Sequence, residues 1–342
     1  MPKKAVLIRL SFAAIFIALL TVGLREIHIA GGGYANYPDR TISLTEESVS
    51  IAIPTGAYGA RIGQILAEAG VVASSESFFR AVVADPRGES IAPGTHKLSR
   101  RISGKAALEQ LLDPKRIVNL IKISEGEWNS EVFAEIRKTG IWNEDPGKSA
   151  LQVRLPNGIN SLEGTLFPAQ YSFGDEVTQT AALQSMVDNF SRVTAKLSFL
   201  DPVGKLSRQQ LVTLASLIQA EGDTKDFAKI SRVIRNRLEI GMPLQLDSSI
   251  HYLKKTRGQI YLSTSSTKLR SPYNTYQNYG LPPAPIGNPG IAALKAAIEP
   301  AAGDWLFFIT VAPGDTRFTK SITEFNNWKL LYQRNRKAGA FE

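Results

Sequence analysis

LVTLASLIQAEG, residues 211–222, reads as the middle and end of a helix. Leu211, Leu214, Ala215 and Ile218 recur at three- and four-residue spacing and draw an apolar stripe. Glu221 continues that stripe, two turns beyond Leu214, where the next core residue belongs. Ser207 is placed to cap the helix at its start and Gly222 to end it. Glu221 is therefore expected in the last turn, facing the core or a cleft bounded by it. Desolvation and the negative end of the helix dipole both disfavour its charged form there. A carboxylic acid that keeps its proton near neutrality can act as a general acid. The structural alternative is a carboxylate paired with Arg232, Arg235 or Arg237 of the following helix. Periodicity alone leaves both readings open.

The rest of the chain bounds what such an acid could serve. At 342 residues it exceeds one typical domain, and two folded units are expected. There is no cysteine, which excludes disulfides and thiolate metal sites, and His28, His96 and His251 are too scattered to suggest a metal centre. Neither metal nor cofactor is expected. The net charge of +9 permits nucleic acid, anionic lipid or another polyanion as partner. The basic residues are spread along the chain, with a modest cluster at Arg334, Arg336 and Lys337, which argues against nucleic acid.

Lys3 and Lys4 precede AVLIRLSFAAIFIALLTVGL, residues 5–24, about the length of roughly 20 residues that a membrane-spanning helix needs. Residues 1–4 are then a cytoplasmic tail, and positive charge before the span sends the remainder out of the cell. A single-pass anchor in the cytoplasmic membrane is expected, with the folded part extracytoplasmic; cleavage near Gly31–Gly33 is the rival reading. Residues 25–48 form a glycine-bearing linker. Residues 49–115 read as strand, helix, helix, strand, helix: SVSIAIP alternates as a strand, IGQILAEAGVV is an amphipathic helix stopped by Gly70, and GKAALEQLLDP ends at Pro114. Residues 116–337 form a larger mixed α/β unit. It runs from the strand VNLIKISEGEW through several helices to the buried strand WLFFITV and a last helix, SITEFNNWKLLYQRN. Asn288 is read as the N-cap of IAALKAAIEP. The fold class is α+β.

Residues 271–290, SPYNTYQNYGLPPAPIGNPG, are hard to explain as scaffold. Tyr273, Asn274, Thr275 and Tyr276 set aromatic faces beside amides and hydroxyls on a backbone stiffened by prolines. Sugars need this mixture of stacking faces and hydrogen-bonding groups. A rigid surface loop with scattered tyrosines is the plainer alternative.

ASLIQAEG, VIRNRLEIGMPLQLDSSIHY and SPYNTYQNYGLPPAPIGNPGIAALKAAIEP, in that order, resemble the YceG-like endolytic murein transglycosylases, the MltG family. ISEGEW and SLEGTLFPAQYSF fit the same family, and the likeness covers nearly the whole chain. It implies a membrane anchor, a small LysM-like α+β subdomain over 49–115, and a YceG-like catalytic domain over 116–337. It also implies a reaction: cleavage of the β-1,4 bond between N-acetylmuramic acid and N-acetylglucosamine in nascent glycan strands. The product ends in 1,6-anhydro-muramic acid, which makes the enzyme a lyase and a terminator of strand elongation. The family's catalytic glutamate falls on Glu221, whereas Gln219 stands where many members carry another glutamate. Intramolecular ring closure needs one acid, so no second carboxylate is expected. Gln245, Asp247, Tyr273, Asn274, Thr275 and Tyr276 match the family's cleft segments, and the resemblance assigns them to glycan positioning; Asn236 and Arg237 are assigned to the fold. Peptidoglycan synthases are an implied partner. Two departures stand out: LQLDSSI lacks the family's proline and threonine, and Phe325 occupies the place of a histidine. A non-catalytic, membrane-anchored wall-binding protein is the rival function.

Overall fold

The computed structural model of the chain describes residues 33–39, 47–54, 56–174, 176–200, 205–257, 263 and 265–341. The span expected at 5–24 and most of the linker at 25–48 lie outside the described residues. Among the described residues no helix is long and apolar enough to cross a membrane.

The chain divides into two units. In the smaller one, β1 (Ser48–Ile53) pairs antiparallel with β2 (Gly94–Ser99), from Ser48 opposite Ser99 to Ile53 opposite Gly94. Period-two alternation turns Ile51 and Ile53 inward while Ser50 and Ala52 face solvent. Helices α1 (Gly59–Glu68) and α2 (Ser75–Ala84) lie between the strands in sequence, and α3 (Gly104–Leu112) follows them. Ser74 and Ser103 cap α2 and α3 by accepting from the backbone N–H groups of Ser77 and Ala106. Ile62, Leu66, Phe78, Leu98, Ile102 and Leu108 fill one core. α2 and α3 approach so closely that a Cβ on Gly104 would stand 2.1 Å from the Ser77 carbonyl oxygen. The division falls after Asn119 rather than after 115, and residues 172–174 also belong to this unit. The reason is hydrogen bonding at the edge of β2: Val118 N–H donates to the Thr95 carbonyl, and Thr95 N–H donates to Ser172 Oγ at 2.9 Å.

The larger unit starts with β3 (Leu120–Lys122), which pairs with β4 (Gln170–Ser172). Between them run α4 (Asn129–Thr139) and the short α5 (Pro146–Ala150). Gly140 ends α4 in the left-handed region, φ 69°, as its place after the last turn predicts. α6 (Gln179–Lys196), α7 (Arg208–Glu221), α8 (Phe227–Glu239), α9 (Asp247–Lys254) and α10 (Ile291–Ile298) form the helical body. One cluster built on Phe190, Leu214, Ile218, Ile230, Ile234, Leu246 and Leu294 ties them together. β5 (Phe307–Ala312) and β6 (Asp315–Thr319) form an antiparallel hairpin turning at Gly314, and α11 (Ile322–Lys337) packs on β5. β6 is a strand that the sequence reading lacks. β5 is also less buried than expected, since only Val311 is fully enclosed.

Candidate active site

The site is built around α7. Ser207 and Gln210 cap it reciprocally: Gln210 N–H donates to Ser207 Oγ, and Ser207 N–H donates to Gln210 Oε1 at 2.9 Å. The expected one-sided stripe is wider than periodicity suggests. Leu211, Val212, Thr213, Leu214, Ala215, Ser216, Leu217 and Ile218 are all buried, so every side of the helix meets protein. Its hydroxyls fit because they bond back to the helix, Thr213 to the Gln209 carbonyl and Ser216 to the Thr213 carbonyl. Glu221, its last residue, is where this central helix leaves the core. Gly222 ends it in extended backbone, φ −177°, and not in the left-handed region. A Cβ there would stand 2.7 Å from Ile230 Cδ1, so any larger residue requires the end of that side chain to shift.

Glu221 opens onto a cleft of about 1120 Å³ in the larger unit, lined by Arg237, Gln245, Asp247, Ser248, His251 and Tyr276, and by residues of β5 and α11. The three arginines of the structural alternative do not form an ion pair with it. Arg232 donates to the Ala301 carbonyl, Arg235 to that of Ala297, and Arg237 to those of Leu306 and Leu244. Instead Ser248 donates to Glu221 Oε1 twice, from Oγ at 2.5 Å and from the backbone N–H at 3.3 Å. Burial pushes the Glu221 carboxyl up to about 7; the Ser248 hydroxyl pulls against this, the Asp247 carboxylate adds to it, and Arg237 offsets a little. Ser248→Ala removes a bond that favours the carboxylate. It is expected to move the Glu221 midpoint upward by on the order of one pH unit, read by carbon-13 NMR of the carboxyl through a titration.

Asp247, which the resemblance assigns to the cleft, brings a second carboxylate to the cleft that Glu221 lines. It opens α9, with Leu246 and not itself in the N-cap position, and its carboxylate faces the same cleft. The Tyr276 hydroxyl donates to Asp247 Oδ1, and the phenol's own pKa is raised by burial and by that carboxylate. The end of α7 and the start of α9 meet only in three dimensions, which is why residues 26 apart give no paired signal in sequence. Gln245 reaches the cleft from a backbone in the left-handed region, φ 48°, held by its N–H to the Thr275 carbonyl.

Three residues assigned to glycan positioning sit elsewhere. Asn274 is fully buried, its amide donating to the Thr267 and Leu269 carbonyls and its Oδ1 accepting from Tyr276 N–H. Thr275 is buried as well, its Oγ1 accepting from Leu246 N–H at 2.9 Å. Both lie under the cleft and hold Tyr276 and Leu246 in place. Tyr273 turns away from the cleft lining and packs on Tyr252, ring centroids 5.4 Å apart. There it neighbours Glu163, a second carboxyl pushed up to about 7 by burial; Glu163 accepts from Asn129 N–H and from the Tyr252 hydroxyl.

Sequence reading missed Ser248, His251 and the α11 wall. Phe325 lines that wall and stacks on Phe307, centroids 5.2 Å apart. Only the three- and four-residue steps from Ile322 to Phe325 to Lys329 hint that α11 presents one face. Asn288 is not an N-cap: Gly290 takes that place, and the Asn288 side chain bonds four partners in the core. Among the described residues no group of three or more His, Asp or Glu side chains is placed to hold a metal ion.

A profile of the YceG-like family matches residues 51–329, and the chain belongs to that family. It is similar to a protein of Bacillus subtilis named endolytic murein transglycosylase, 29% identical over 311 residues that cover 84% of this chain and 86% of the relative. A protein of the same name from Streptococcus pneumoniae is 26% identical over 324 residues; the match covers 82% of this chain and only 58% of that longer relative. The crystal structure of a YceG-like protein from Listeria monocytogenes is similar with a TM-score of 0.53 and 26% identity, over 82% of this chain and 98% of that one.

Proposed function

We propose that this protein is a peptidoglycan lytic transglycosylase with Glu221 as its catalytic acid and base. One observation carries the reading: Glu221 is a carboxyl that burial pushes up to about 7, has no ion-pair partner among the described residues, and lines a cleft of about 1120 Å³. The name shared by the Bacillus and Streptococcus relatives supports it.

In the proposed reaction Glu221 protonates the glycosidic oxygen of the MurNAc-β-1,4-GlcNAc bond. As a carboxylate it then takes the proton from the muramic 6-hydroxyl while that oxygen closes on C1. The substrate's N-acetyl group stabilises the positive centre between the two steps. Ser248, which favours the carboxylate, fits the second half of the cycle. Gln245, Asp247 and Tyr276 contact the sugar, and Asn274 and Thr275 position them from below. Cutting nascent strands in this way ends their elongation beside the synthases that extend them. Residues 5–24 anchor the protein in the cytoplasmic membrane with the folded units outside, and the small unit serves as a LysM-like glycan holder.

Asp247 gives a second reading its footing. Two carboxyl groups on one cleft could also activate water, and hydrolysis would leave reducing ends. Digestion of uncrosslinked glycan strands followed by mass spectrometry separates the two. Anhydro-muramic ends are expected, with kcat/KM falling about tenfold per pH unit above about 7 as the acid form is lost. Reducing ends would transfer the role of base to Asp247 and sink the lyase reading.

A further inference from the structure

α11 spans 16 residues, about 24 Å of helix. It shows the cleft one face: Phe325, Lys329, Tyr332 and Arg336 follow at three- and four-residue steps, with Asn326 beside the first and Lys337 beside the last. The face changes character along its length. It is aromatic near its start, where Phe325 stacks on Phe307, and from Lys329 onward basic side chains flank Tyr332. The same cleft is lined by Glu221 and Asp247.

Basic residues in the last turn of a helix often do no more than offset its dipole. That explains Arg334, which is not among the cleft-lining residues. It does not explain Lys329, which stands two turns before the end of α11. Lys329 and Lys337 are exposed and form no ion pair among the described residues. Their neighbours behave otherwise, since Arg317 pairs with Asp315 and Lys320 with Asp304. Two unpaired ammonium groups are thus fixed on the wall of a cleft that the sugar rings of a glycan would not need them to line. The sugar rings are neutral. The anionic groups of peptidoglycan lie on the acidic peptide stems that leave each muramic lactyl group.

We infer that the basic side chains of α11 from Lys329 to Lys337 bind the carboxylates of the peptide stem, so that the enzyme selects stem-bearing strands over bare glycan. The inference rests on the proposed function and deepens it. Aromatic and hydroxyl groups hold the sugar near Glu221, and Lys329 and Lys337 read the stem that projects beside it.

The full-length chain is tested on two substrates: uncrosslinked strands with their stems, and the same strands stripped by an amidase, with the lactyl carboxylate that stripping frees then capped as a neutral amide. At 50 mM salt the wild type is expected to show about fivefold higher kcat/KM on the stem-bearing strands, the size two exposed ion pairs supply. Screening at about 300 mM salt shrinks that ratio. Lys329→Ala/Lys337→Ala brings it to within about twofold of one, mainly through KM, and Lys329→Arg/Lys337→Arg restores it. A wild-type ratio near one overturns the inference, as does a ratio that survives the alanine pair or an equal fall on both substrates. Charge-dependent binding to vesicles of anionic phospholipid, lost in the alanine pair while the ratio stays, would assign these lysines to a membrane instead. Wild-type cleavage of stripped strands keeps the proposed function standing whichever way the ratio falls; cleavage of neither substrate sinks that function itself.

Discussion

Glu221→Gln stops glycan cleavage and leaves a folded protein that is more stable than the wild type at alkaline pH. The loss follows from chemistry. Glutamine has the same shape, and its amide oxygen still accepts from the Ser248 hydroxyl and N–H, but it has no proton to give the leaving oxygen and cannot take one back. A fall in kcat of on the order of a thousandfold or more is expected. The gain in stability follows from linkage. Burial pushes the native carboxyl up to about 7 from the ordinary 4.5 of the unfolded chain, so between those values the folded chain binds the proton more tightly. Stability from this group is fully present below the unfolded value and is lost as pH rises through the folded one. At pH 8 the wild type holds a buried carboxylate with no ion pair, and the glutamine variant escapes that cost, by on the order of 1–3 kcal/mol. Near pH 4.5 the two proteins should melt together. Thermal melts at the two pH values beside a product assay separate the roles. Retained cleavage removes Glu221 from the mechanism. A variant less stable at pH 8 would show that the carboxyl is structural.

How far the site was legible follows the range of the interactions. α7 reads from sequence because its cap, its apolar spacing and Glu221 all lie within 15 residues. The small unit's strands and helices read for the same reason, since alternation in β1 and the serine caps of α2 and α3 are local. What failed is non-local. Asp247 joins Glu221 through the meeting of α7 and α9, and Ser248 reaches Glu221 the same way. Asn274 and Thr275 look like sugar ligands in a polar, aromatic segment, yet each is buried because neighbouring backbone satisfies its polar atoms. Periodicity cannot distinguish a polar side chain that faces a cleft from one that supports its floor. Gly222 stands at the helix end as its position suggests, but in extended backbone rather than in the left-handed region that favours glycine.

Asn288→Ala is expected to cost the larger unit more than any surface change, about 3–5 kcal/mol. Asn288 has no exposed surface. Its Oδ1 accepts from Gly164 N–H at 3.1 Å and Leu166 N–H at 2.9 Å; its amide donates to the Glu127 carbonyl at 2.9 Å and Asn129 Oδ1 at 3.0 Å. One side chain thus joins SEGEW, LEGTLFP and IGNPG, bonding residues that lie 122 to 161 positions before it in the chain. Alanine leaves two buried N–H donors with no acceptor, and water cannot replace it in a closed core. Asn288→Asp keeps both acceptor bonds but turns a carboxylate toward the Glu127 carbonyl and Asn129 Oδ1. It should be at least as damaging, whereas a residue that merely fills space would tolerate either change. The damage should reach the site, because two residues on Gly290 N–H donates to Gln219 Oε1 and so fixes the last turn of α7. Chemical denaturation of both variants reads the loss. A cost below about 1 kcal/mol for Asn288→Ala would show that these backbone groups find other partners, and the joining role would fall.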